Sequence, residues 1–155
     1  MKQFEITVSV KILTDGELNE TERRLIESAS AACSNAYSPY SKFSVGAAVL
    51  LSGGEIICGS NQENDAFPSG MCAERVALFY ANSQRPASAV VAVAITSAIS
   101  GVRNSEYVYP CGACRQSLLQ SEIRFGNRIK ILMANSTGVM TVESAGDLLP
   151  LNFKM

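Results

Sequence analysis

Residues Pro110–Leu118 read PCGACRQSL, which sets Cys111 and Cys114 three positions apart behind a proline. On a turn leading into a helix, this spacing lets both sulfurs face one point. The helix N-terminus also favours thiolates by lowering their pKa. One such pair is a weak signal on its own. The chain has no histidine, so no histidine can complete the set. In MCAERVALF, Cys72 again stands at the start of a helical stretch, after a Pro-Ser-Gly turn. Cys72, Cys111 and Cys114 together offer three thiolates, a set that binds zinc and leaves one coordination position open. At an open position water binds and loses a proton near neutral pH, and that chemistry needs a base alongside. Glu74, two residues beyond Cys72, is the carboxylate placed to move protons without being a ligand.

Three thiolates on a divalent ion make a net negative centre, which acidifies water poorly. Cations or hydrogen-bond donors near the sulfurs offset this, and Arg75, Arg115 and Gln116 flank the cysteines. Plainer readings fit the same residues. Cys111 and Cys114 also suit a structural zinc site, with Cys58 as the further ligand, and Glu74 also suits a helix start where the dipole favours a carboxylate. Cys33 on an apolar helix face and Cys58 in a strand read as core residues that behave as small hydrophobes.

The elements that must carry these residues follow from periodicity. Phe4, Ile6, Val8, Val10 and Ile12 alternate with polar residues, the pattern of a half-buried strand. From Asn19 the period becomes helical, along Leu25, Ile26, Ala29, Ala32, Cys33 and Ala36, with Asn19 and Glu22 as a capping box. Strands at residues 43–51 and 55–59 flank a Gly-Gly turn and read as a hairpin. A helix over residues 72–82 precedes a continuously apolar strand at residues 89–96, the signature of burial on both faces. A helix from the PCGAC turn to about Ser121, strands at 128–134 and 139–142, and a closing helix at 143–149 complete the chain. Alternating strands and helices imply one layered α/β domain over residues 1–155, largely parallel in its second half.

Composition narrows the partners. The 155 residues are 47% hydrophobic and 17% charged, with a net charge of -1 and no basic stripe to engage phosphates. A small, near-neutral ligand is expected, with no nucleic acid. The longest apolar run, Ala89–Ile95, is far short of the ~20 residues that cross a bilayer. The N-terminus lacks a signal-peptide run. A cytoplasmic, membrane-free protein is expected, its five cysteines kept as thiols or ligands.

Cys-Ala-Glu followed by Pro-Cys-Gly-Ala-Cys resembles the signature of the zinc nucleoside and nucleobase deaminases in its three-cysteine form. The blocks AYSPYSKFSVGAAVL, GSNQEN, CAERVALF, PCGACRQ and LLPLNF, spanning Ala36 to Phe153, resemble in order those of the small homotetrameric cytidine deaminases. That resemblance implies a three-layer α/β/α sandwich around a mixed five-stranded sheet, here with an extra N-terminal strand at residues 3–13. It implies one Zn2+ per chain and hydrolytic deamination of cytidine and deoxycytidine in pyrimidine salvage. It also implies roles for particular residues. Asn61 and Glu63 would grip the ribose 3′-hydroxyl, Phe43 would stack near the pyrimidine, and the Ala73 N–H would meet the base carbonyl. Arg75 and Gln116 would hydrogen-bond the thiolates, Phe67 would stand where a tyrosine is common, and Phe153 would close a neighbouring subunit's pocket. The chain departs from the family in its N-terminal strand and in stopping two residues after Phe153. Blasticidin deaminases share the cysteines but should lack the Asn-x-Glu pair. A base editor of single-stranded nucleic acid would want basic surface. A structural zinc module that binds a partner protein would need neither Glu74 nor an open ligand position.

Overall fold

Asn19 opens the first helix as its capping box requires. The Glu22 N–H donates to Asn19 Oδ1 at 2.9 Å, and the Asn19 N–H donates to Glu22 Oε2 at 3.0 Å. The structure, a computed structural model, describes residues 1–153. In chain order the elements are β1 (Lys11–Leu13), α1 (Glu20–Ala32), β2 (Ser44–Leu51), β3 (Ile56–Ser60), α2 (Ala73–Gln84), β4 (Val90–Ile99), β5 (Val102–Arg103), α3 (Gly112–Phe125), β6 (Lys130–Ala134) and β7 (Val139–Val142). A 3-10 turn at Ala145–Leu148 stands where a closing helix was expected.

The strands form one mixed sheet in the order β1-β7-β6-β4-β2-β3, with β5 paired to the end of β4. The expected five strands are β2, β3, β4, β6 and β7; β1 and the two-residue β5 bring the sheet to seven. Among the strands of the described residues, β4 and β6 alone run parallel, joined through α3. The second half is therefore less parallel than its strand–helix alternation implied. The short NSTG turn after β6 forces the reason: Asn135 Oδ1 accepts the Thr137 and Gly138 N–H groups, both at 2.8 Å, and a link that short makes a hairpin.

Alternation in the central strands builds two cores. Val49, Val93 and Ile131 face Ala77, Leu78 and Leu118 of α2 and α3. Ala48, Ala94 and Leu132 face Leu25, Ile26 and Ala29 of α1 on the other side. Helices thus cover both faces, giving the three layers, and β4 is apolar from Val90 to Ile95 because it is sealed from both sides there.

The N-terminal strand is shorter than its pattern. Residues 4–10 alternate like a strand but only Lys11–Leu13 pairs, because β7 ends at Val142, the position opposite Val10, and offers nothing beyond it. Cys33 is buried as expected, but Cys58 is exposed, since β3 is the far edge strand and α1 covers it incompletely.

One glycine ties the sheet to the site. A Cβ built on Gly59 would lie 2.5 Å from the Ala77 nitrogen and 2.6 Å from the Ala73 carbonyl oxygen, so α2 rests directly on β3 there. Gly59→Ala is expected to destabilise the fold by about 1–3 kcal/mol and to push back the first turn of α2. Thermal denaturation with a zinc assay checks this: Tm falls and zinc is held more weakly, whereas an unchanged Tm refutes the close packing.

Candidate metal centre and active site

Both helices that carry the cysteines begin on one. Cys72 is the N-cap of α2 and Cys111 the N-cap of α3, and neither side chain caps its helix. The first-turn N–H groups therefore keep their positive ends toward the sulfurs. Because β2 runs antiparallel to both β3 and β4, those two strands end at the same edge of the sheet, and the helices that follow them start there. This is where open α/β sheets place their sites.

The three sulfurs meet at this edge. Cys72 Sγ lies 3.7 Å from Cys111 Sγ, Cys111 Sγ lies 3.5 Å from Cys114 Sγ, and all three fall within 4.8 Å of one another. Tetrahedral zinc with bonds of ~2.3 Å puts its sulfurs ~3.8 Å apart, so the spacing and the all-sulfur donor set fit that ion. It is the one such cluster among the described residues. Cys58 lies outside it, which removes the fourth ligand that a structural site would want.

The sulfurs share their protons unequally. A hydrogen bond from Cys114, opposed by burial and helped by Arg75 and Cys111, brings Cys72 down to about 5, so it is a thiolate at neutral pH. Cys114 moves far upward, first because it donates to Cys72 and then because it is buried beside Glu74. Metal uptake therefore has to displace the Cys114 proton.

Glu74 sits in the first turn of α2, is 4% exposed, and lines the same cleft as Cys72 and Cys111. Burial raises its pKa most and the Cys72 charge adds to that, while its own backbone N–H and the Cys114 thiol pull the other way. A carboxyl held above its ordinary range gives protons back as readily as it takes them, as a shuttle requires.

Arg75 reaches Cys72 Sγ with Nη2 at 3.9 Å, and its pKa is raised first by that contact. Its Nε is buried without a partner, leaving a donor spare beside the cluster. Arg75→Gln should weaken zinc binding by roughly 10–100-fold, the usual reach of groups that support a metal's ligands. A zinc titration against a chromogenic chelator checks it, and unaltered affinity would make Arg75 a plain helix residue. Gln116 is not brought to the sulfurs. It lines a separate groove between α2 and α3 with Phe79, Asn82 and Arg124. Arg115 does not reach them either: its guanidinium donates to the Pro110 carbonyl at 2.8 Å and the Leu148 carbonyl at 3.0 Å, holding the turn that carries Cys111.

In front of the cluster lies a cleft of about 620 Å³, lined by Phe43, Asn61, Glu63, Phe67, Ala73 and Glu74 among others. The loop carrying Asn61 and Glu63 is pinned at both sides. Gln62 and Met71 exchange N–H···O bonds at 2.9 and 2.8 Å, and the Glu63 N–H donates to the Tyr37 carbonyl at 2.8 Å. Asn61 already does structural duty, accepting the Val45 N–H at 2.8 Å and donating to the Phe43 carbonyl at 2.9 Å. Glu63 Oε2 accepts the Tyr40 N–H at 2.9 Å and the Ser41 N–H at 3.3 Å. Phe67 packs edge-on to Tyr40, ring centroids 6.3 Å apart, and the Tyr40 hydroxyl donates to Asp65. Phe153 is 72% exposed and does not line this chain's cleft.

Tyr40, Met71 and Tyr109 also line the cleft and were not singled out from sequence. The signal was available for two of them, since Met71 precedes Cys72 and Tyr109 nearly adjoins Cys111. Glu122 was missed too: it accepts the Ile129 N–H at 2.7 Å, the Ala145 N–H at 2.8 Å and the Ser144 hydroxyl at 2.9 Å, tying α3 to the segment that anchors Arg115.

The model of the cytidine and deoxycytidylate deaminase zinc-binding region matches residues 19–126. The chain belongs to that family, and its cofactor is Zn2+. It is 38% identical over 128 residues to a cytidine deaminase of Halalkalibacterium halodurans, covering 81% of this chain and 89% of that protein. A cytidine deaminase of Sporosarcina psychrophila is 39% identical, with 82% of this chain and 87% of the relative covered. Among solved structures, the cytidine deaminase of Burkholderia pseudomallei superposes with a TM-score of 0.71 at 37% identity, over 84% of this chain and 98% of that one.

Proposed function

We propose that this chain hydrolyses cytidine and deoxycytidine to uridine and deoxyuridine, releasing ammonia. The observation that carries the reading is the buried Glu74 beside a three-sulfur cluster, both opening on one nucleoside-sized cleft. Cys72, Cys111 and Cys114 hold zinc, which when bound supplies the Lewis acidity that makes water nucleophilic near neutral pH. Glu74 accepts the proton of the water that attacks C4 and delivers it to ring N3. It then takes the proton of the new C4 hydroxyl and passes it to the amino group as the C4–N bond breaks, so that ammonia leaves and the base retains a carbonyl at C4.

The rest of the cleft positions the nucleoside. The Ala73 N–H, in the free first turn of α2, donates to the base carbonyl, and Phe43 forms the wall against the ring. Glu63 takes the ribose 3′-hydroxyl with Oε1, its other oxygen being held by the Tyr40 and Ser41 N–H groups. Asn61 contributes its second N–H, and its bonds to Val45 and Phe43 make it the piece that fixes the base wall to the ribose grip. An aliphatic and aromatic lining with few polar groups suits a neutral nucleoside.

The active form is a homotetramer. The cleft is open to solvent beside exposed Phe67, and the chemistry needs water limited at the zinc centre. The exposed Phe153 of a neighbouring subunit supplies the cover. Phe153→Ala should raise KM for cytidine several-fold with little change in kcat, and steady-state kinetics that match the parent would remove Phe153 from the site. No helix among the described residues is long and apolar enough to cross a membrane, and five cysteines with no disulfide among them, three of them zinc ligands, suit the reducing cytoplasm, where pyrimidine salvage takes place.

Ammonia release from cytidine, deoxycytidine, cytosine and blasticidin S tests the substrate. The two nucleosides should react. Cytosine, without a ribose for Glu63, and blasticidin S should turn over far more slowly. Preferred turnover of blasticidin S or free cytosine would overturn the assignment.

A further inference from the structure

Residues 4–12 carry a complete strand pattern, yet most of them have no strand to pair with. Among the described residues β1 is the edge of the sheet, bonded to β7 alone, and β7 stops at Val142. The alternating apolar side chains are left in solvent: Phe4 is 76% exposed, Ile6 and Val10 49%, and Ile12 64%. Val8, at the middle of the run, is half-buried and packs on the core beneath α2 and α3, so the segment is held on the body of the fold. An open edge of this kind is a template for another strand. The segment also lies outside residues 19–126, the part that defines the family.

The order of its residues points to the occupant. We infer that residues 4–12 pair antiparallel with the same residues of a second copy about a two-fold axis at Val8, continuing the sheet from one subunit into the other. In that register Glu5 faces Lys11 of the second copy and Lys11 faces its Glu5, while Phe4 meets Ile12, Ile6 meets Val10 and Thr7 meets Ser9. Every cross-strand pair is then matched in kind, and both charged residues of the polar face are neutralised. Neighbouring registers lose this. Centring the axis on Thr7 sets Lys11 against Gln3 and Glu5 against Ser9, and centring it on Ser9 sets Lys11 against Thr7 and Glu5 against Leu13. A slip to an odd offset would turn the apolar face of one strand against the polar face of the other. Lys11 is also 3.3 Å from Glu143 in its own chain and remains half exposed, so it can bridge Glu143 and the incoming Glu5.

Carbodiimide, which joins a carboxylate and an amine only when they touch, tests this on the zinc-loaded full-length protein. The expected result is a covalent dimer under denaturing conditions whose digest contains an amide between Glu5 and Lys11. A Lys11–Glu143 link in the monomer band serves as the internal control. Glu5→Lys sets lysines opposite one another and removes the carboxylate, so the link between positions 5 and 11 should be lost and dimerisation through this segment, read by sedimentation, should weaken by about tenfold. Glu5→Lys with Lys11→Glu exchanges the charges and should restore a link between positions 5 and 11. If Lys11–Glu143 forms and no dimer is joined through positions 5 and 11, or if the exchanged variant fails to restore it, the pairing is wrong.

Discussion

Glu74→Gln is expected to abolish turnover of cytidine, lowering kcat by about 10⁴-fold or more, because one side chain serves successive proton transfers, each typically giving 10²–10⁴ in rate. The change is nearly isosteric and removes the negative charge of a carboxylate that the structure buries, so the fold should keep its stability. Zinc should stay bound, since Glu74 is outside the sulfur cluster. Substrate affinity should change far less than kcat, the mark of a group that acts mainly in the transition state. The pH profile gives a second reading. Burial and the Cys72 charge raise the Glu74 pKa, so the carboxylate that accepts the water's proton forms only above the ordinary range for a glutamate. Activity should therefore decline on the acid side at a higher pH than a solvent-exposed glutamate would impose, and that limb should vanish with the residual rate of the glutamine variant. Turnover within tenfold of the parent would end the assignment.

Cys111→Ala should empty the metal centre. Cys111 is exposed on the turn before α3 and contributes little to the core, so its removal tests the site with the fold intact. Structural zinc sites bind with about 10–16 kcal/mol, or roughly 3–4 kcal/mol per ligand. Losing one of three thiolates should thus weaken zinc by on the order of 10²–10³-fold and take the activity with it. Metal analysis after dialysis against a mild chelator, with circular dichroism on the same sample, separates metal loss from unfolding. Normal zinc content in this variant would mean that the ligand set is different.

The parts of the site tied to helix starts were legible in the chain, because a cysteine at an N-cap is a local feature with a fixed direction. Cys72, Cys111, Cys114 and Glu74 needed only the expectation that two helix N-termini converge at one sheet edge, and the β3–β2–β4 arrangement delivers that. What depended on distant neighbours was not legible. The alternation at residues 4–12 specifies which face is apolar but not whether a partner strand reaches that far, and β7 does not. Cys58 sits in a strand, but its burial depended on how far α1 extends over the far edge of the sheet. Gln116 follows Cys114 closely in sequence, yet the turn of α3 carries it to the groove shared with α2. α3 itself runs past Ser121 to Phe125 and ends at Gly126, whose φ of 66° is the left-handed conformation that favours glycine at a helix end. That stop was written in the sequence, whereas the double use of Asn61 as strand clamp and cleft wall was not.

The central claim is that this cleft exchanges the amino group of cytidine for oxygen with zinc at three cysteines and Glu74 as the proton carrier. Incubating the zinc-loaded protein with cytidine and quantifying ammonia and uridine together tests it most directly. The account predicts that both accumulate, mole for mole, with the cytidine consumed. Folded, zinc-containing protein that leaves cytidine unchanged would contradict it.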